Sequence, residues 1–589
     1  MLLLGYFILL ALVFLISRRW KAKHRTILIL GYNFLFVLVA QYIVRVMASD
    51  TFVTSIGKSL YNTVQDLTFD GDMDWADQAP TEWLKAQIWL VVFLAGFFNV
   101  RSVLLTFFYR FFAQAKLRVK VRLSKNQSIF VGKISDAQEL VADTTKSIIK
   151  PRIIYIPTET LPVGSELYKI CRIEKESYLN HLKRRKNYTV VLLPDDEYVN
   201  LERVHSLNEW VGKNKKKVGS VRVSVFLDNN LERFHDFRAD NLDTCVISKE
   251  EIAVRSFFEE CPPIEILEKT NSFEQNGLPY LTDPFKMCVI GFGSIGQEFL
   301  LLSYENSAFP TRNGDSGFFK ALVIDDKLDS KKAAFLTEAP HFADSKEIAF
   351  VKAEYNSDLY FEAVKKYATD WKQIVVSTDD TKANIDIAMK LCRIYDGLGM
   401  IESRPQITVV FHDSFAGAKS LLDKSPNVKV VDVESRLINY KTLVDRSTDL
   451  IAIDANRHYN QVSNRGTYWN NLGTFLEASN RALALDIPIK QRLFKMSRAS
   501  QTQTLEFLAR YEHNRWMAFS FAHGWMPLPA SELTEQERAN FITKRKLEKR
   551  HACLVPWEEL DSLPQETPGK IKSYDVENVR HALGDVSKI

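Results

Sequence analysis

The sequence has little of what builds a disulfide scaffold or a zinc protein. It holds six cysteines in 589 residues: Cys171, Cys245, Cys261, Cys288, Cys392 and Cys553. None forms a C-x-x-C pair and none has a histidine at zinc spacing, so no metal is expected and the thiols read as reduced. Excess charge of one sign is also missing, since 77 basic residues face 72 acidic ones. Without a basic arm or an alternation of basic and aromatic residues, a nucleic-acid partner is not expected. A cleavable leader is not expected either: "MLLLGYFILLALVFLIS" lacks a basic start and a small-residue cleavage site.

Apolar residues crowd instead into the first 112 positions, in three stretches. Helices are expected over about 2–17, 26–47 and 87–112, within an N-terminal membrane region of residues 1–123. About 20 residues at 1.5 Å each cross a hydrocarbon core of roughly 30 Å. "RRWKAKHR" separates the first two stretches and "YRFFAQAKLRVKVRLSK" follows the third, whereas the loop between the second and third carries "DLTFDGDMDWAD". Basic loops stay cytoplasmic, so the N-terminus and the acidic loop are expected outside and everything after residue 112 inside. Arg101 admits two readings. Either it is an intramembrane charge that marks a water-filled path or a partner, or the span ends near Val100 and Arg101 and Arg110 snorkel at the interface. The outer loop has the length of a re-entrant segment, but "TSIGKSLYNTV" lacks a T-V-G-Y-G run, so potassium selectivity by stacked carbonyls is not supported.

From residue 128 the pattern changes to short β-rich runs, "SIFVG", "RIIYIP", "YTVVLLP" and "VRVSVFLD", separated by amphipathic segments. Such alternation predicts parallel sheets covered by helices on both faces. A second round opens with "CVIGFGSIGQEFL", which sets Gly291, Gly293 and Gly296 between a strand and a helix. Glycines so placed allow a tight turn and close approach of a pyrophosphate to a helix N-terminus. The next strand, "KALVIDD", ends in Asp325 and Asp326, placed to accept hydrogen bonds from a ribose. The insertion "YENSAFPTRNGDSG" lengthens the usual spacing by about ten residues. "QIVVSTDD" ends in Asp379 and Asp380. In the first round only Gly132 stands at the matching turn, where Lys133 and Ile134 would crowd a pyrophosphate. No catalytic residue is expected; His412 in "FHDS" reads as a structural histidine.

"CVIGFGSIGQ", "LVIDD" and "VVSTDDTKANIDIAMKL" resemble the TrkA-N family of nucleotide-binding domains, also called RCK domains, which regulate potassium channels and transporters. The resemblance implies two tandem Rossmann-like domains, over residues 124–270 and 280–425. It also implies NAD(H) or another nucleotide as a ligand of the second, and paired domains that pass ligand binding to a membrane helix.

Residues 430–589 turn helical. Along the helix that runs into "LARYEHNRWMAFSFAHGWMPLP", Leu505, Leu508, Glu512, Trp516 and Phe519 share one face, and a carboxylate on that face needs a partner such as Arg515 or a ligand donor. Gly524 ends the helix and turns Trp525 back on it. With "KLEKRHACLVPWEEL", the ordered set E-H-x-R-W, G-W, H-x-x-L-x-P-W is similar to the prokaryotic ryanodine-receptor repeat, or RyR, domain. The resemblance and the indoles together nominate a pocket of Glu512, His513, Trp516, Trp525, His551 and Trp557 for a nucleotide-derived ligand.

The expected fold class is therefore a membrane α-helical N-terminus, two doubly wound parallel-sheet domains and a mostly α-helical RyR-like domain. The expected function is that of a ligand-responsive inner-membrane protein of bacteria, an RCK-type channel or a membrane effector, without enzymatic activity. The resemblance extends to components of antiphage systems and implies a dimeric or tetrameric homo-oligomer in the lipid bilayer. Two alternatives stand beside this reading: a membrane-anchored NAD(P)-dependent or NAD-consuming enzyme, and a non-conducting scaffold.

Overall fold

A computed structural model describes residues 2–584 apart from 18–21, 49–51, 69–72, 145–151, 163–164, 175–178, 180–181, 183–185, 195, 215–218, 228–241, 313, 315–316, 401–403, 414, 423, 439, 447–448, 464–468 and 470–471. The orienting residues Arg18 and Arg19 and the side chain of Arg110 lie outside the described residues. The chain divides into two compact units: residues 1–124 with 162–173, and the remainder.

The first unit is a helical bundle. Leu2–Ser17 and Ala22–Met47 form where the apolar runs place them. The third apolar stretch is part of one longer helix, Glu82–Leu123, which continues through Arg101 and the basic segment. Thr81 caps it by accepting from the Leu84 N–H, and no proline or glycine pair interrupts it. Arg101 is exposed on it. Near its end Gln114 donates to the carbonyls of Tyr168 and Cys171 and accepts from the Ile173 N–H, which fixes segment 162–173 in this unit. Among the described residues, two segments are long and apolar enough to cross a membrane, Leu28–Met47 and Glu82–Arg101.

The stretch expected as an acidic loop contains a helix, Phe52–Thr68, whose faces are inverted. Ser55, Ser59, Thr63 and Asp66 are buried, while Ile56, Leu60 and Val64 are exposed. Asp66 accepts from Gln41 Nε2 at 2.5 Å and from the Trp75 indole at 2.8 Å. Asn33 of the second helix donates to Asn99 at 2.7 Å and accepts from Tyr6 at 3.0 Å. Leu35, Val39, Ile43, Phe93 and Phe97 point outward. A bundle with hydrogen-bonded polar groups inside and aliphatic groups outside suits an apolar surround rather than water.

The second unit holds two parallel sheets. In the first, the chain enters at the centre with Asn126–Gly132, adds Ile153–Pro157 on one side, then crosses to Asn187–Leu192, Val221–Phe226 and Asp243–Ile247 on the other. The second sheet comprises Phe285–Ile290, Phe319–Asp325, Ile348–Lys352, Gln373–Val376, Gln406–Phe411 and Val428–Asp432, all parallel, in the order 3-2-1-4-5-6. That is the dinucleotide-fold order, and its direction reverses beside the first strand, where ligands of such sheets bind. Their near-continuous Val, Ile, Leu and Phe content suits strands buried on both faces. Beyond the sheets the chain is mostly helical: Leu450–Ser463, Thr474–Met496, Gln501–Ala522 and Lys570–Leu583, with a small three-stranded sheet.

Replacing Asp66 by Leu leaves the Gln41 amide and the Trp75 indole without their acceptor, at a cost of about 1–3 kcal/mol. The melting temperature of the detergent-solubilised chain should fall for Asp66→Leu and fall less for Asp66→Asn, which keeps an acceptor oxygen.

Candidate functional site

The glycine loop follows the first strand of the second sheet, at the reversal point. Gly291 has φ +92°, and a Cβ there would lie 2.5 Å from the Thr378 nitrogen and 2.6 Å from the Ser377 carbonyl carbon. At Gly296 a Cβ would stand 2.1 Å from the Gly291 oxygen. Both glycines are thus required by backbone packing, which the Ser377 hydroxyl reinforces by donating to the Gly291 carbonyl at 2.9 Å. Gly293 differs. It caps the helix Ser294–Glu305 from an extended conformation, and a Cβ there would meet only Asp379 Oδ1, at 3.2 Å. Its side of the loop opens toward the helix N-terminus, where a phosphate is favoured.

Asp325 ends the second strand as expected, but its carboxylate already has internal partners. It accepts from the Phe292 N–H and the Lys327 N–H at 2.7 Å each and from the Lys331 ammonium at 2.8 Å. Burial alone would raise this carboxyl; Lys331 and the two backbone donors outweigh it and lower its pKa. Asp326 and Asp379 are exposed, and Asp379 sits at the open side of the loop. The loop therefore fits the phosphates of a dinucleotide, while a ribose hydroxyl at Asp325 competes with Lys331 and the two backbone donors. His412 is a structural histidine: its Nε2 donates to the Thr378 carbonyl at 3.0 Å, and its backbone N–H to Thr381.

A residue not anticipated from sequence orders this edge. Asn384, fully buried, donates to the carbonyls of Thr378 and Val410 and accepts from the Thr378 N–H. In the first repeat Asn200 donates to the carbonyls of Leu193 and Phe226 in the same way. The signal was present, since "DDEYVN" and "DDTKAN" share D-D-x-x-x-N after the corresponding strand. The first repeat's own loop is closed: a Cβ on Gly132 would lie 2.5 Å from Leu193 Cβ, and the Ile134 N–H is taken by Glu159.

In the C-terminal module the structure separates Glu512 from the other residues nominated with it. Glu512 is buried and accepts two hydrogen bonds from Arg515 at 2.9 Å, while Lys490 Nζ lies 2.7 Å away. Lys490 also pairs with buried Asp486, which accepts from the Tyr511 hydroxyl. Glu512 is thus a structural ion-network residue, since an isolated buried carboxylate would be costly and this one is fully paired.

The remaining five rings do come together. His513 lies 5.8 Å from both Trp516 and Trp557, and His551 lies 5.1 Å from Trp516 and 6.2 Å from Trp525. Trp525 and Trp557 are core residues, packed with Leu554 and with Leu528, Leu533 and Leu560 respectively. Trp516 and His551 keep partial exposure, so these two rings are what a ligand at this module can reach. Gly524, at φ +80°, ends the helix and lets the Trp525 N–H return to the Ser520 carbonyl; a Cβ there would strike the Glu338 carbonyl at 2.5 Å. His513 Nε2 donates to the Val555 carbonyl at 2.9 Å, with Nδ1 3.4 Å from Asp575. His551 Nδ1 accepts from the Cys553 N–H at 3.0 Å, which fixes a neutral ring. Among the described residues, no group of three or more His, Cys, Asp or Glu is arranged to hold a metal ion.

No family model matches the chain, and no curated protein matches it. Among solved structures it aligns with the GsuK channel bound to NAD at 11% identity and a TM-score of 0.33, covering 73% of this chain and 85% of that one. It aligns with GsuK bound to ADP at 12% identity and a TM-score of 0.32, over 72% of this chain and 100% of that one. The apo-structure of D-lactate dehydrogenase from Escherichia coli aligns at 11% identity and a TM-score of 0.19, over 55% and 96%. Likenesses of that degree carry no functional assignment. The chain's own strand order and glycine loop define its class: a tandem dinucleotide-fold protein that begins with apolar helices.

Glu512→Ala leaves Lys490 and Arg515 buried beside fewer carboxylates and should destabilise the chain by about 3–5 kcal/mol, read from chemical denaturation. The pH dependence separates two groups. Burial pushes the His551 imidazole down to about 3 from 6.5, aided by the Lys544 and His513 charges. Below pH 6.5 the unfolded chain then takes up a proton that the folded chain refuses, so stability falls as pH drops from 6.5 toward 3. Burial would raise the Glu512 carboxyl, but Arg515 and Lys490 hold it down to about 2, so its contribution is present above 4.5 and lost as pH falls toward 2. Asp575, raised by burial, acts in the opposite sense and is unchanged between variants. The loss of melting temperature between pH 6.5 and 4.5 should therefore shrink in His551→Gln and persist in the parent.

Proposed function

We propose that this chain is a ligand-responsive membrane protein whose nucleotide folds sense a nucleotide-derived ligand and bias the N-terminal helices. The observation that carries the reading is the Gly293 opening at the N-terminus of Ser294–Glu305, at the sheet reversal, in a chain whose N-terminal bundle exposes apolar side chains such as Leu35, Val39 and Phe93. NAD(H) or a related dinucleotide is the ligand class: the phosphates take the helix N-terminus and the ribose competes with Lys331 for Asp325. The first repeat, its loop closed by Glu159 and Leu193, is structural.

On this reading the C-terminal module is RyR-like and receives a second signal at Trp516 and His551. The assembly is a homo-oligomer in the inner membrane with its N-terminus outside, and it acts as a channel or bilayer effector in antiphage defence rather than as an enzyme. Its output is an ion flux. A ligand shifts such a membrane element only by the difference in its affinity for the two states.

Gly293→Ala discriminates ligand loss from misfolding, because its Cβ meets only one carboxylate oxygen whereas those of Gly291→Ala and Gly296→Ala meet backbone. The Gly293→Ala chain should melt within a few degrees of the parent and lose the stabilisation that NAD(H) gives, roughly 2.7 kcal/mol at a hundredfold excess over Kd. Lys331→Met, which frees Asp325, should tighten dinucleotide binding. In proteoliposomes, flux under dinucleotide that survives Gly293→Ala unchanged would remove the second repeat from the sensing role.

A further inference from the structure

A cavity of about 320 Å³ lies away from the glycine loop, where three distant stretches of chain meet. One wall is the helix Lys249–Glu260 of the first repeat with the following Pro263–Lys269; the other is Thr474–Met496, with Ile451 between them. Phe258, Ile264, Leu485 and Ile489 make most of the surface apolar. Neither dinucleotide chemistry nor the aromatic module uses this space, and its volume is that of a small-molecule site.

Its polar groups are unequally engaged. Arg481 is held by Asp449 at 2.9 and 3.2 Å, and Arg492 by Glu265 and Glu268. Arg255 has five N–H donors and only loose partners: Glu251 at 3.4 Å and Asp449 at 4.0 Å. Its side chain is 11% exposed and borders the cavity. The opposite wall is apolar: Ala484, Leu485, Pro488 and Ile489 of the helix Thr474–Met496 border the cavity.

We infer that this cavity binds a small organic acid: a carboxylate on Arg255 and an apolar body between Phe258 and Leu485. A single negative charge is favoured over a phosphate dianion, because Glu251, Asp449 and the bordering Glu259 surround the one loosely held guanidinium. Such a ligand bridges the first repeat and the long helix that leads into the C-terminal module, so its binding stiffens that joint.

Indole-3-acetate carries both features, and isothermal titration calorimetry of the full chain in detergent can measure it against tryptophol, tryptamine and inorganic phosphate. The expected result is saturable uptake of about one indole-3-acetate per chain, with tryptophol weaker by about tenfold and no uptake of tryptamine or phosphate. Arg255→Met should weaken the acid about tenfold or more. Leu485→Trp, which fills the cavity, should abolish its binding. Arg255→Lys, which keeps the charge and loses the fork, should fall between, and supplies the comparison if the methionine variant does not fold. Tryptophol binding as tightly as the acid, equal binding by Arg255→Met, or no uptake of indole-3-acetate by the parent each overturns the assignment. Gly293→Ala should leave this binding intact, so failure here and failure of the dinucleotide reading are told apart.

Discussion

The second unit is organised around charge taken out of water. Asp486, Lys490, Glu512 and Arg515 are each almost wholly buried, and their two positive and two negative charges sit within one hydrogen-bonded network with the Tyr511 hydroxyl. Apolar residues of similar volume would hold two helices together at least as well, but they would not dictate which turn faces which. Here the pairing of Lys490 with Glu512 fixes Thr474–Met496 against Gln501–Ala522. Each of these helices then grips a different repeat. The first does so through Arg481 and Asp449, behind strand Asp243–Ile247, and through Arg492 on Glu265 and Glu268. The second does so through Tyr511, stacked on Phe309 at 5.1 Å, and Phe507 against Tyr280. One neutral ion cluster thereby sets the register of both nucleotide folds.

Within each fold the same device recurs at smaller scale. Asn200 and Asn384 occupy equivalent places on the helix after the strand that crosses back, and each ties the ends of two neighbouring strands by side-chain amide donors. Acids at the second strand also match: Glu159 accepts from Ile134, and Asp325 from Phe292. The repeats differ at the turn itself. Gly132 lies against a leucine side chain, whereas Gly291 and Gly296 lie against backbone and leave Gly293 uncovered. Loss of two glycines thus converts a phosphate cradle into a packed turn while the polar bolts around it stay.

Much of this was legible in the residues. Strands rich in Val, Ile and Phe, bounded by acids and glycines, announced two parallel sheets, and the G-x-G-x-x-G turn announced its own place between a strand and a helix. Less legible were features that need a distant partner. Glu512 stood out as a carboxylate on an apolar face, but Lys490, 22 residues upstream, gave no sign of reaching it. Phe52–Thr68 read as a loop because its buried face is the polar one; Ser55, Ser59 and Thr63 recur every four residues, but hydroxyls are not the residues a buried stripe is sought among. Likewise the charge change after residue 112 concealed that Glu82–Leu123 is a single helix, since backbone hydrogen bonding continues across a change in side-chain polarity.

The helix Ser294–Glu305 gives the fold a direct mechanical link between two prospective ligand positions. Its N-terminus is the open end of the glycine loop, and its far end presents Glu305 at 3.7 Å from His523, at the close of the Gln501–Ala522 helix that also bears Trp516. Beside that contact His341 stacks on Phe521 at 3.8 Å, and Gly524 lies so close to the Glu338 carbonyl that no side chain fits between. Contacts this tight do not deform gradually; they either hold or re-pack. On the function proposed above, a dinucleotide at the loop end and a ligand on Trp516 and His551 would be coupled through this one rigid element, and any such coupling is equal in both directions.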